Sequence, residues 1–246
     1  MRFIDSHVHL CEYRDHLPIL SLARYSGIML LSSGVNRASS LATLEIARSE
    51  PSLVKAFLGV HPSEAEAGDA LEWFEGVLRG ATGAGELGLD PRYSEVSSKS
   101  PQMTTFAKQL EIVERAGKPV QVHSRGAGKE CLEVLSSYGA KPVLLHWFQG
   151  ETELREADDR GYFASFGPAL LQSKKLQRMA SSLDPTHVLA ESDGPVTFAD
   201  FGGAGGSSLI PTVVFKLAEL WKLTFLEAEE RLLRNGLSYL NISGKT

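Results

Sequence analysis

Ile4-Asp5-Ser6-His7-Val8-His9-Leu10 opens the chain as a short apolar run closed by two imidazoles. Later regions repeat the pattern. Gly85-Glu86-Leu87-Gly88-Leu89-Asp90 brings carboxylates to the end of an apolar run. Val120-Gln121-Val122-His123 and Leu144-Leu145-His146 each end in histidine, and Leu189-Ala190-Glu191-Ser192-Asp193-Gly194-Pro195 ends in acids. An apolar run closed by a ligand-type side chain is what a barrel strand looks like where it reaches an active site. Endings of this kind from residue 7 to residue 193 imply several strands delivering groups to one point.

Outward from these fragments, apolar runs rich in β-formers recur at Arg2–Val8, Gly27–Leu31, Val54–Val60, Ala81–Leu87, Pro119–His123, Pro142–His146, Tyr162–Phe166 and His187–Glu191. Segments with helical spacing lie between most of them: Leu41, Leu44 and Ile46, then Leu71, Phe74, Val77 and Leu78, then Phe106, Leu110 and Val113. Alternating strand and helix predicts a parallel sheet, and continuous apolar strands suit a sheet buried on both faces. Eight such units in 246 residues point to an α/β fold, a single (β/α)8 TIM barrel spanning residues 1–246. The first βα turn has no G-x-G-x-x-G, which disfavours an open dinucleotide-binding sheet. Gly117-Lys118-Pro119 and Gly139-Ala140-Lys141-Pro142 read as helix stops followed by strand starts. Ile210–Leu240 reads as two extra C-terminal helices around Val213, Leu217, Leu220, Leu226 and Leu232. Phe198–Ser208, with four glycines directly after Asp193, reads either as a mobile loop at the site's mouth or as an insertion without function.

Composition bounds the function. A net charge of −5 and a pI near 5.8 argue against a protein that coats polyanions, so any nucleic-acid contact must be local. Cys11 and Cys131 lie far apart and form no metal-type pair, which fits reduced thiols in a cytoplasmic protein. Ligand-type residues within the first nine positions leave no room for a signal peptide. No apolar stretch approaches about 18 residues, so no membrane span is expected.

His7 and His9, two apart on a strand, point to the same face. As a lone pair they fit a hydrogen-bonded core pair as well as a metal site. Glu86, His123, His146 and Asp193 at later strand ends favour the metal reading, because imidazole plus carboxylate suits divalent ions. Six candidate ligands exceed what one catalytic zinc needs. Two ions bridged by a carboxylate is the economical solution, with Glu86 as the bridge. Asp193 fits as ligand and proton acceptor, and Glu191 is expected to support it. His61, ending the third strand, is not needed as a ligand. Arg125 presents a planar donor suited to phosphate, or else a surface salt bridge. Lys174, Lys175 and Arg178 form a compact basic cluster that reads most simply as a solvated helix face.

Taken in order, these fragments resemble the TatD-type metal-dependent deoxyribonucleases of the amidohydrolase superfamily. The resemblance also rests on Gly59-Val60-His61-Pro62, Gln102-x-x-x-Phe106-x-x-Gln109-Leu110, Val122-His123-Ser124-Arg125, His146-Trp147-Phe148-Gln149-Gly150 and Arg234-Asn235-Gly236. It implies a (β/α)8 barrel with two, sometimes three, divalent ions (Mg2+, Mn2+ or Zn2+) that hydrolyses phosphodiesters, often as a 3′→5′ exonuclease. Carried over by motif, His7, His9 and Asp193 would hold one ion and His123 and His146 the other. Glu86 would be shared, and His61 and Arg125 would contact the scissile phosphate. DNA, as single strands or 3′ ends, is the implied substrate, and membership of a larger DNA-processing or defence assembly stays open. Gly126 stands where relatives usually carry Asp, and the glycine-rich segment replaces a proline- and arginine-bearing loop. Both departures bear on substrate choice. The alternative reading is hydrolysis of an ester or amide, such as an aminoacyl-nucleic acid. A lysine-bridged branch of the superfamily is disfavoured because Glu86 closes the fourth strand. A binding protein without catalysis is disfavoured by the complete ligand set.

Overall fold

The strands are β1 Phe3–Val8, β2 Ile28–Ser33, β3 Val54–Leu58, β4 Gly83–Gly88, β5 Val120–His123, β6 Val143–His146, β7 Phe163–Phe166 and β8 Val188–Ala190. In the computed structural model they pair in parallel, in chain order, within one eight-stranded sheet. The structure describes residues 1–66, 71–93, 95, 99–198 and 203–242. Helices α1 Leu17–Ser26, α2 Arg37–Ser49, α3 Phe74–Leu78, α4 Lys99–Ala116, α5 Gly128–Leu135, α6 Leu154–Asp159, α7 Lys174–Ser182 and α8 Ile210–Trp221 each follow the strand of the same number. The two C-terminal helices expected from the sequence are α8, which serves as the eighth crossover, and α9 Phe225–Tyr239. The result is a TIM barrel.

Local chemistry sets the boundaries. Asn36 and Ser39 form a reciprocal capping box at α2, as do Thr224 and Glu227 at α9. Gly117 takes a φ of +61° just past α4, where a side chain would be strained. β8 and β1 share no regular ladder among the described residues. The barrel closes just beyond β8, where Asp193 N donates to His7 O (2.9 Å) and His9 N donates to Gly194 O (2.8 Å). The buried Asp5 carboxylate completes the seam. It accepts from Ser192 N (2.8 Å), Ser192 Oγ (2.6 Å) and Ser207 Oγ (2.7 Å).

Alternation sorts the strand residues. Ile28, Leu30, Val54, Val120, Val122, Val143, Leu145 and Val188 pack outward into the core shared with the helices. Ile4, Met29, Leu31, Phe57, Leu144, Phe163 and Leu189 fill the amino-terminal half of the barrel. Tyr239 from α9 plugs that end, stacked 5.9 Å from Phe57 with its hydroxyl donating to Val120 O at 2.9 Å. Above this apolar base the interior turns polar.

Two strands break the alternation. Between the pairs Asp5↔Leu30 and Val8↔Ser32, β1 spends three residues against two of β2. Between Ala84↔Val120 and Leu87↔Val122, β4 does the same against β5. Each is a bulge that re-aims the side chains beyond it. Ile4 and His7 therefore share the barrel interior although they are three residues apart. The middle of the glycine-rich stretch, 199–202, lies outside the described residues; its flanks, Thr197–Phe198 and Gly203–Ala204, pair antiparallel.

Candidate metal centre

The structure brings His7, His9, His61, Glu86, His123, His146 and Asp193 together at the carboxyl end of the barrel, all buried. Donor atoms of His7, His9 and Glu86, of His7, His146 and Asp193, and of His61, Glu86 and His123 each lie within 4.8 Å of one another. Glu86 stands in the middle. Its Oε2 faces His9 Nε2 at 3.4 Å and His7 Nε2 at 3.6 Å. Its Oε1 faces His123 Nδ1 at 2.5 Å and His146 Nε2 at 2.9 Å. Asp193 Oδ1 lies 3.6 Å from His9 Nε2 and 3.7 Å from His7 Nε2. One carboxylate thus addresses two imidazole pairs with separate oxygens.

Hydrogen bonds outside the centre fix which ring nitrogens carry protons. His9 Nδ1 meets only a carbonyl, Ser33 O at 3.0 Å, so it must donate. Gln121 Nε2 donates to Ser6 O, leaving Gln121 Oε1 to accept from His7 Nδ1 at 2.8 Å and from the Ser33 hydroxyl. His123 Nε2 donates to Asp90 Oδ2 at 2.8 Å, and His146 Nδ1 lies 3.4 Å from Glu191 Oε2. With the outer nitrogens of His7, His9 and His123 holding those bonds, the inward nitrogen of each ring, and Nε2 of His146, is the one that can give a lone pair to a cation in place of a proton. These inward nitrogens and the carboxylate oxygens of Glu86 and Asp193 converge, with His7 and His9 only 3.1 Å apart between Nε2 atoms. Positive charge, as protons or as cations, is what holds such a cluster together. The donor set and its outer supports fit divalent cations.

The electrostatics agree. Burial opposes the charge on Glu86, yet His146, His61 and His123 hold its carboxyl well below the usual carboxylate range. Burial likewise opposes a proton on His9, but Asp193 and Glu86 hold its pKa well above the ordinary imidazole value. For His146, Glu86 and Glu191 overcome burial in the same way.

His61 is the exception. Its Nδ1 accepts from Ser63 N at 3.2 Å, so the nitrogen aimed inward, Nε2, carries the proton and lies 3.7 Å from Glu86 Oε1. Burial depresses its pKa to about 3, keeping the ring neutral. His61 offers the site a donor, whereas the other four rings can offer lone pairs to a cation. Arg125 lines the same cavity, with Nε and Nη2 both on Asp90 Oδ2 at 2.8 and 2.7 Å and its guanidinium over the Tyr93 ring. The cavity measures about 260 Å³ and its rim includes Glu12, Tyr93, Trp147 and Gln149.

One sequence expectation is corrected. Glu191 does not support Asp193; its carboxylate reaches Ser165 Oγ at 2.6 Å and Trp147 N at 2.9 Å, beside His146. Regular strand geometry would put residues 191 and 193 on one face, but Asp193 adopts a φ of +49° and the chain turns there. Phe148 is fully buried and packs in the core. Sequence reasoning overlooked several supports. Gln121 stands two residues before His123, and that spacing was the available signal. Gln109 bonds both backbone groups of Val60, at 2.8 and 3.1 Å, and so holds the segment leading to His61. Gln102, two turns earlier on α4, does the same for Asp90.

Residues 4–241 match the family described as TatD related DNase. The human protein named deoxyribonuclease TATDN3 is 28% identical over 212 residues, covering 78% of this chain and 77% of that one. A Haemophilus influenzae protein described as an uncharacterized metal-dependent hydrolase is 27% identical over 242 residues, covering 94% and 96%. Among solved structures, the Escherichia coli TatD homolog YJJV superposes with a TM-score of 0.85 at 22% identity, over 98% of this chain and 99% of that one. Fold, donor set and relatives define a metal-dependent hydrolase barrel. The chain belongs to the TatD-related DNase family, across nearly its whole length.

Proposed function

We propose that the chain is a divalent-metal-dependent phosphodiesterase that removes nucleotides from the 3′ ends of DNA, single-stranded ends above all. The observation that carries the hydrolytic reading is Glu86, whose two oxygens face two separate pairs of imidazole nitrogens. His7, His9 and Asp193 would hold one cation, His123 and His146 the other, and Glu86 both. Two such ions (Mg2+, Mn2+ or Zn2+) would lower the pKa of water toward neutrality and polarise the phosphoryl group. Asp193, kept ionised by His9 and its neighbours against the cost of burial, accepts the proton of the attacking water. His61 donates its Nε2 proton to a phosphate oxygen, and Arg125 turns its guanidinium to the same group. DNA as substrate rests on the family's description and on that of the human relative. The unpaired Cys11 and Cys131 support a cytoplasmic setting.

The test is release of mononucleotides from single-stranded DNA with Mg2+ or Mn2+, by wild type and by Glu86→Gln. Release that disappears in the variant is the expected result. No release by wild type, or equal release by both, sinks the proposal. Aminoacyl-ester and dihydropyrimidine substrates run alongside: turnover of those alone transfers the site to the ester or amide reading.

A further inference from the structure

The outer face of α7 adjoins the cavity in a way the chemistry at the metal centre does not require. Going round the rim in strand order, His61 follows β3, Tyr93 follows β4, Arg125 follows β5, and Trp147 and Gln149 follow β6. All five line the cavity. The next sector is α7. Lys175 Nζ donates to Gln149 O at 2.8 Å, so the backbone of a cavity-lining residue touches an α7 ammonium directly. Lys174, Lys175 and Arg178 are all exposed. Lys174 and Arg178 stand one turn apart and, with Gln177, Ser181, Ser182 and Leu220, line an open trough along the helix. Among the described residues a single carboxylate, Glu151, pairs with the cluster, 3.5 Å from Arg178.

We propose that a single-stranded nucleic acid whose end lies in the cavity runs past Trp147 and Gln149 onto α7, where Lys174, Lys175 and Arg178 take its backbone phosphates. This rests on the phosphodiesterase reading above. A chain of net charge −5 repels a polyanion overall, so a substrate longer than the cavity needs a local cationic track. Three cations against one carboxylate, beginning where the cavity wall ends, supply it. The Ser173-capped amino end of α7 adds its positive dipole in the same place. A cationic groove that follows the backbone is how single strands are held without sequence readout. Lys175 exchanges a carbonyl for a phosphate, a stronger, charge-assisted partner.

The test compares wild type with a Lys174→Gln, Lys175→Gln, Arg178→Gln variant whose melting temperature is checked to be unchanged. Substrates are a dinucleotide and a twelve-nucleotide strand, in Mg2+. For the longer strand, KM should rise by about tenfold with kcat unchanged, while dinucleotide kinetics stay the same. Binding of a hydrolysis-resistant phosphorothioate strand, followed by fluorescence anisotropy, should lose about 2 from its log–log salt slope, since three single-strand phosphate contacts contribute roughly 0.7 each. An unchanged KM and salt slope, or equal losses on both substrates, overturns the track. Should wild type cleave neither substrate, the phosphodiesterase reading fails and the anisotropy arm alone decides this one.

Discussion

His61 and His123 flank the same oxygen of Glu86, yet they differ in charge: His61 is a neutral ring with its one proton on Nε2, whereas His123 sits between two carboxylates, Glu86 at Nδ1 and Asp90 at Nε2, which raise its pKa. The difference comes from outside the site, in Ser63 N for one ring and the Asp90 carboxylate for the other. His61→Ala should therefore leave divalent-cation content unchanged while kcat/KM falls by about 10²- to 10³-fold, the usual cost of losing one transition-state donor. Cation content by atomic spectroscopy checks this, and loss of metal from His61→Ala would show that the ring is a ligand after all. This distinction was only half legible in the sequence. His61 stood out as superfluous among the candidate ligands, but its protonation depends on a backbone amide two residues on, folded back by the turn after Pro62. Gln102 and Gln109 were quoted as part of a motif without a task. They bond to main chain at Asp90 and Val60, 12 and 49 residues away, and no local pattern reveals such partners.

At the scale of elements, the ends of the barrel meet through a side chain. Asp5 stands where a ladder would otherwise join β1 to β8, and burial pushes its pKa up to about 7 despite donors from Ser192 and Ser207. A carboxyl whose folded-state pKa exceeds its unfolded value favours folding most at low pH and loses that contribution as pH climbs through the folded value. For Asp5 the window runs from 3.8 to about 7. In metal-free protein, the stability of wild type relative to Asp5→Asn should decline across that range and flatten above it. Urea melts at stepped pH read the difference, and a constant gap would refute it. Element order and strand positions were readable because apolar runs and turn residues are local signals. The bulges in β1 and β4 were not. They are defined by register against β2 and β5, and strict alternation cannot put Ile4 and His7 in one interior.

For the whole molecule, the converging imidazoles and carboxylates make the folded chain a cation receptor that the unfolded chain is not. Saturating Mn2+ or Zn2+ should raise the melting temperature in a concentration-dependent way. At a hundred times Kd the gain is about 2.7 kcal/mol, or roughly 5–10 °C for a chain of this size. A chelator should reverse it. The same titration should release protons, because His9 and His146 hold theirs well above the ordinary imidazole value until a cation displaces them. No change in melting temperature with any of these ions would contradict the site as a metal centre.

The polar storey inside the barrel, Ser33, Gln121, Ser165 and Glu191, lies beneath the clustered histidine rings, on strands already sealed by Tyr239 at the far end. Foundations of that sort leave the superstructure at liberty. Loops above the rim can change without touching those supports, so new substrates can be reached by rewriting loops over an inherited hearth.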